Sequence, residues 1–107
     1  EELQIRTVMQ IIYMQNYFKN NNVPYLIFNA LWNGFDKPLT KECKAFLKDV
    51  DQNHYYKLNG TFDESQHGWC KKSGLSVSEI DEHPNIEGQK QWGLKLLPLA
   101  KKIINAG

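Results

Sequence analysis

Val23-Pro24-Tyr25-Leu26-Ile27-Phe28 is a short, almost wholly apolar run that follows an asparagine triplet, Asn20-Asn21-Asn22, and gives way to polar residues at Asn29. It reads as a strand, with Pro24 acceptable because it stands near the start. A strand that is apolar on both faces needs a layer packed on each side, as in a parallel α/β sheet. The expected class is therefore α/β, helix-rich with few strands. In open α/β sheets ligands gather outside the carboxyl ends of the strands, so the loop through Asn29, Leu31, Trp32, Asn33 and Gly34 is a candidate pocket wall. Asn29 and Trp32 are the candidate substrate-binding residues. The plainer reading makes Trp32 rim packing and the asparagines turn formers.

Before the strand, Leu3 to Phe18 predicts a helix. Ile5, Val8, Met9 and Ile12 recur at helical spacing, and Ile11, Met14 and Phe18 widen the stripe until much of the girth is expected to be buried. The asparagine triplet stops it, because Asn tolerates left-handed backbone. After the strand, Thr40 caps a helix to about Asp49, with Cys43, Phe46, Leu47 and Val50 on one face. A loop through Asp51 to Tyr56 follows and ends at the Asn59-Gly60 turn, and Tyr55, Tyr56 and Leu58 could form a short strand there. Thr61-Phe62-Asp63-Glu64 is a capping box that opens a helix carrying Trp69, and Lys71-Lys72 and Gly74 end it. Asn85 caps a last helix with Trp92, Leu96, Leu99 and Ile103 along one face, and Pro98 is expected to kink or divide it.

The 107 residues make a single domain, 1–107, with a modest core. Thirteen basic residues against twelve acidic leave a net charge of +1 with no basic cluster beyond isolated Lys-Lys pairs, which argues against nucleic acid as a partner. Cys43 and Cys70 are expected to be free buried thiols. No secretory leader or membrane-spanning run is visible, so no membrane partner and a cytoplasmic, soluble location are expected. Asn59-Gly60-Thr61 fits a glycosylation sequon but reads more simply as a turn. His67-Gly68-Trp69-Cys70 supplies one close His/Cys pair where structural zinc uses two, so neither a metal nor any other cofactor is expected.

Chemistry concentrates in Asp81-Glu82-His83-Pro84-Asn85. An imidazole set beside a carboxylate, stiffened by a proline and followed by a helix-capping residue, suits a general base. The candidate catalytic residues are His83 and Asp81. Together with Gly88 and Trp92 on the following helix, this stretch resembles the last block of the SGNH (GDSL-type) hydrolases. The resemblance implies a serine ester hydrolase on a flavodoxin-like three-layer sandwich, with His83 as base and Asp81 as the acid that orients it. In the family the acid stands three residues before the histidine, where this chain has Ile80. The Gly-His that often follows is Gly88-Gln89 here.

The family's Gly-Asp-Ser block is missing, as are its oxyanion glycine and asparagine blocks. Ser65, Ser73, Ser76 and Ser78 read as exposed turn and helix residues. The chain is thus expected to be a partial SGNH-hydrolase-like domain, a C-terminal portion lacking the nucleophile block and acting on a small ester if active. The absence of an initiator Met before Glu1 agrees with a fragment. The alternative is a non-catalytic binding or assembly module that keeps the same scaffold. One clear strand among four helices cannot make a covered sheet. The expected remedies are a cryptic partner strand, a missing N-terminal portion, or a homo-oligomer whose strands meet.

Overall fold

The structure is a computed structural model that describes residues 2–31, 38–57 and 65–106. In chain order the elements are α1 (Glu2–Asn20), β1 (Ile27–Phe28), α2 (Lys41–Leu47), β2 (Tyr55–Tyr56), α3 (Gln66–Lys72) and α4 (Ile86–Ala106), with a 3-10 turn, Gln52–His54, leading into β2. No helix among the described residues is long and apolar enough to cross a membrane.

β1 and β2 run parallel, with Ile27 beside Tyr55 and Phe28 beside Tyr56. A parallel pair needs a crossover, and α2 lies within it. Because successive strand residues face opposite ways, the register sorts the side chains into two layers. Ile27 and Tyr55 join Val8, Ile11, Cys43, Leu47 and Val50 in the core formed with α1 and α2. Phe28 and Tyr56 meet Trp92 of α4 on the other face, with ring centroids 5.9 and 5.5 Å away. Helices thus cover both faces, as an α/β class requires. The strand is shorter than the apolar run suggests: only Ile27–Phe28 is laddered.

The buried side of α1 differs from the expected one. Gln4, Val8, Ile11 and Gln15 turn inward, while Met9 and Met14 stay exposed. The two glutamines are buried because each carboxamide pairs with backbone around α2. Gln4 accepts from Thr40 N (3.3 Å) and donates to Pro38 O (3.2 Å). Gln15 accepts from Asp51 N (2.9 Å) and donates to Asp49 O (2.6 Å). One end of α2 is thus held by each. Lys19 adds an ion pair to Asp51 at 2.8 Å, which holds that carboxyl below the usual carboxylate range.

The caps show how local chemistry sets the remaining ends. Asn22 takes the left-handed conformation, φ 55°, just past α1. Thr40 Oγ1 accepts from Cys43 N at 3.1 Å to start α2. The buried face of α2 holds Cys43 and Leu47, but Phe46 is exposed. The capping box at Thr61–Glu64, the Asn59-Gly60 turn and Leu58 lie outside the described residues. The described start of α3 is capped instead by Ser65, whose Oγ accepts from Gly68 N at 3.0 Å. Ser65 is buried rather than exposed, because the helix start is docked on β1: Gln66 N and His67 N donate to Asn29 O (2.8 Å) and Ala30 O (3.0 Å).

Asn85 caps α4 through Oδ1 accepting from Gly88 N at 2.8 Å. Its own N–H bonds Leu75 O at 2.8 Å, and its Nδ2 donates to Ser76 O at 3.2 Å. α4 then runs as one helix through Pro98, so of the kink or division expected there the division does not occur. Pro98 is exposed, so the missing backbone bond can be met by water. Gly88 is where α4 comes closest to the chain: a Cβ there would stand 2.8 Å from Leu75 O and 3.1 Å from Cys70 Sγ.

Two substitutions test this framework. Gln15→Leu keeps the bulk but strands Asp49 O and Asp51 N, so it is expected to cost about 1–3 kcal/mol in urea unfolding; an unchanged midpoint would show that the carboxamide is not holding α2. Gly88→Ala gains about 1 kcal/mol of helix propensity. Against that stands a clash with a backbone carbonyl, for which overpacking costs of about 1–3 kcal/mol are typical. The expected result is net destabilisation by calorimetry, whereas a raised melting temperature would contradict the close approach.

Candidate functional site

Residues 76–84 form a small hairpin between α3 and α4. Ser76 bridges Pro84 in antiparallel fashion, Val77 N donates to His83 O at 2.9 Å, and Ser78 N donates to Asp81 O at 3.0 Å. Ser78 Oγ accepts from Asp81 N at 2.9 Å, which fixes the turn. Alternation along the returning strand separates its three ionisable side chains. Asp81 and His83 act together, while Glu82 reaches α3.

The structure brings the two candidate catalytic residues together. His83 Nδ1 lies 2.6 Å from Asp81 Oδ1, and the same oxygen accepts the His83 backbone N–H at 3.1 Å. An ionised carboxylate only accepts, so Nδ1 donates, and in the neutral ring it is Nε2 that carries the lone pair. The imidazole side chain is 82% exposed. His83's side-chain bond, then its backbone N–H, holds the Asp81 carboxyl below its ordinary range. This is the local geometry of a histidine oriented by an acid. The i, i+2 spacing is compatible with it because the acid bonds both the ring and the backbone of the same residue.

Glu82 lies on a second cluster that the sequence does not announce. Its carboxylate meets Lys71 Nζ at 2.7 Å and His67 Nε2 at 3.5 Å. Lys71 first and His67 second hold it below the usual carboxylate range. These contacts dock the hairpin onto α3 beside a cleft of about 410 Å³ that Lys71, Gly74, Ser76, Ser78, Glu79 and Glu82 line. The signal available beforehand was the alternation itself, which sets Glu82 opposite the Asp81–His83 pair. His67 and Cys70 do not converge on a common ligand: the ring turns to Glu82, and Cys70 is fully buried, its thiol pushed up by burial. Among the described residues no three His, Cys, Asp or Glu side chains group as a metal site.

Asn29 is placed elsewhere. It is buried at the carboxyl end of β1, where its Oδ1 accepts the Tyr55 hydroxyl and its carbonyl receives Gln66 N. Burial pushes the Tyr55 phenol well above its ordinary value, so the phenol stays a donor. Asn29 also lines a groove with α1, away from the cleft beside the hairpin. Trp32 lies outside the described residues. Of the serines, Ser65 is the buried α3 cap, Ser73 ends α3, Ser78 serves the turn, and Ser76 Oγ is buried with no hydrogen-bond partner.

No family model, curated protein or solved structure matches the chain.

The Asp81–His83 contact has a direct test in solution. In His83→Ala the ring is lost but the backbone N–H remains, so the Asp81 pKa is expected to rise part of the way toward the ordinary value of about 3.9. The readout is the carboxyl carbon shift across an acid titration. An unmoved midpoint would mean that the ring does not bond the carboxylate.

Proposed function

We propose that this chain carries the acid-base end of an SGNH-like serine ester hydrolase. The observation that supports this best is the Asp81–His83 contact of 2.6 Å, which leaves Nε2 available on an exposed ring. In such a site Nε2 takes the proton of an attacking serine and then passes it to the leaving alcohol. Asp81 keeps the ring in the productive tautomer and stabilises the imidazolium between the two transfers. The hairpin is well suited to hold that base, because it is anchored behind by Glu82 on α3 and ahead by Asn85 at the start of α4.

The nucleophile would come from outside the described residues. Ser78 Oγ is committed to Asp81 N, and Ser76 Oγ is buried. On this reading the two-stranded parallel pair, with helices on both faces, is a C-terminal portion of a flavodoxin-like sheet whose other strands bring the serine and shape the pocket for a small ester. The rival reading, a binding or assembly module on the same scaffold, predicts no chemistry at His83.

The test is hydrolysis of a small activated acetate ester by the chain and by His83→Ala, each alone and mixed with a segment bearing a Gly-Asp-Ser block. Activity that needs both the added segment and His83 is the expected result. Losing His83 removes the base, for which losses of about 10²–10⁴-fold are typical. Activity indifferent to His83 in every mixture would leave the binding module as the reading.

A further inference from the structure

The outward side of α4 carries a pattern that the core does not use. At about 3.6 residues per turn, Ile86, Lys90, Leu94, Leu97, Lys101 and Ile104 fall on one strip opposite the buried Trp92, spaced 4, 4, 3, 4 and 3 residues apart. Its four aliphatic members are 88%, 57%, 43% and 68% exposed. A helix that only covers a sheet ordinarily turns polar side chains to that side. Beside the last turns of α4, a groove of about 190 Å³ continues the apolar surface, lined by Pro24, Tyr25, Leu26, Ala100, Ile103 and Ile104 with no charged side chain among them.

Charge on this helix has one sign. Residues 88–107 hold four lysines and no Asp or Glu, whereas residues 1–87 hold nine basic residues against twelve acidic. The near-neutral total therefore hides a basic last stretch on an acidic remainder. Lys95 lies over the Trp69 ring. Lys90, Lys101 and Lys102 are exposed, and among the described residues no ion pair takes them. Glu87, the single acid of α4, accepts from Gln91 Nε2 at 3.0 Å instead.

We propose that α4 lies along the surface of an anionic membrane, with Leu94, Leu97 and Ile104 at the acyl boundary and Lys90, Lys101 and Lys102 on the lipid head groups. Aliphatic residues interleaved with unpaired lysines need an apolar medium and negative charge within one side chain's reach of each other, which a bilayer interface supplies. Lysine stems lie along the apolar layer while their ammonium groups rise to the head groups. Such a helix lies flat, so it needs no spanning length. A second copy of the chain set against this strip would bring lysine against lysine. A nucleic acid would satisfy the lysines and leave the aliphatic residues in water. An acidic protein would need a groove shaped to a convex ridge of about 27 Å, whereas a bilayer meets that ridge without one. The strip faces away from the sheet, so strands added at a sheet edge do not compete for it. This inference does not depend on the proposed ester chemistry.

The experiment sediments the full chain with vesicles of phosphatidylcholine alone and of equimolar phosphatidylcholine and phosphatidylserine, at low and high salt. It is repeated on Lys90→Glu/Lys101→Glu, on Leu94→Gln/Ile104→Gln, and on Lys44→Glu/Lys48→Glu. The last pair is exposed on and just after α2 and makes the same change in net charge away from α4. Binding to the mixed vesicles is expected to exceed binding to phosphatidylcholine at least roughly tenfold and to weaken as salt rises. Each α4 pair is expected to lower that binding roughly tenfold or more, with far-ultraviolet dichroism of the free variants unchanged, and the α2 pair to lower it much less. No sedimentation with the mixed vesicles would overturn the proposal, as would equal binding to both compositions or an α2 pair as damaging as the lysine pair on α4. Binding that ignores Leu94→Gln/Ile104→Gln would also overturn it, since the lysines alone would then hold a soluble polyanion equally well.

Discussion

Two buried carboxamides carry the constraint on which the fold depends. A parallel pair only two residues long cannot organise its crossover through ladder bonds, and α2 is itself a helix of only two turns. What fixes α2 is α1, through Gln4 at one end and Gln15 at the other, each presenting a peptide-like donor and acceptor to backbone. Val8 and Ile11 fill the space between them. Polar groups at the ends of the stripe set position and apolar groups in its middle supply adhesion, so α2 cannot slide without breaking bonds at both ends. With α2 held, Tyr55 is delivered beside Ile27, and the two faces of the sheet follow.

The second face depends on one aromatic residue. Trp92 is buried against Phe28, Tyr56 and Trp69, so it joins both strands, α3 and α4 at one point. Lys95 lies over the Trp69 ring at 4.7 Å and closes that cluster toward solvent. The hairpin bearing Asp81 and His83 hangs between α3 and α4 and takes its position from this packing. Its Glu82 contact and the Asn85 cap are the two hinges by which the core reaches the candidate site.

Much of this was legible because its causes are local. The apolar run at Val23–Phe28 demanded two covered faces, and the structure supplies them. Thr40 and Asn85 announced helix starts through spacing alone, and the Asp81–His83 contact lies within three residues. What was not legible is non-local or runs against the usual sorting of residues. Glutamine is ordinarily a surface residue, so no periodicity argument places Gln4 and Gln15 inside while Met9 and Met14 lie outside. The short strand at Tyr55–Tyr56 was expected, but two residues are too few for alternation to say what it pairs with. Its pairing is decided by the crossover rather than by its own sequence. Glu82 finds Lys71 and His67 only after the chain has turned back. Asn29 stands at a strand end and does line a groove with α1, but its contacts to Tyr55 and the start of α3 come from elements far along the chain.

Pro98 gives α4 an internal seam in its cooperativity. The ring offers no N–H to the carbonyl of Leu94, and both residues are exposed, so the ladder has one rung missing on its solvent side. Ahead of that rung lies the buried half, anchored by Gly88 and Trp92. Beyond it Leu99, Ala100 and Ile103 are only half-buried, and Ile104 is exposed. The far half therefore has less buried surface to hold it than the near half, and its opening would leave the aromatic cluster in place. The same helix thus combines a buried root under the hairpin with a half-buried distal end beyond the missing rung.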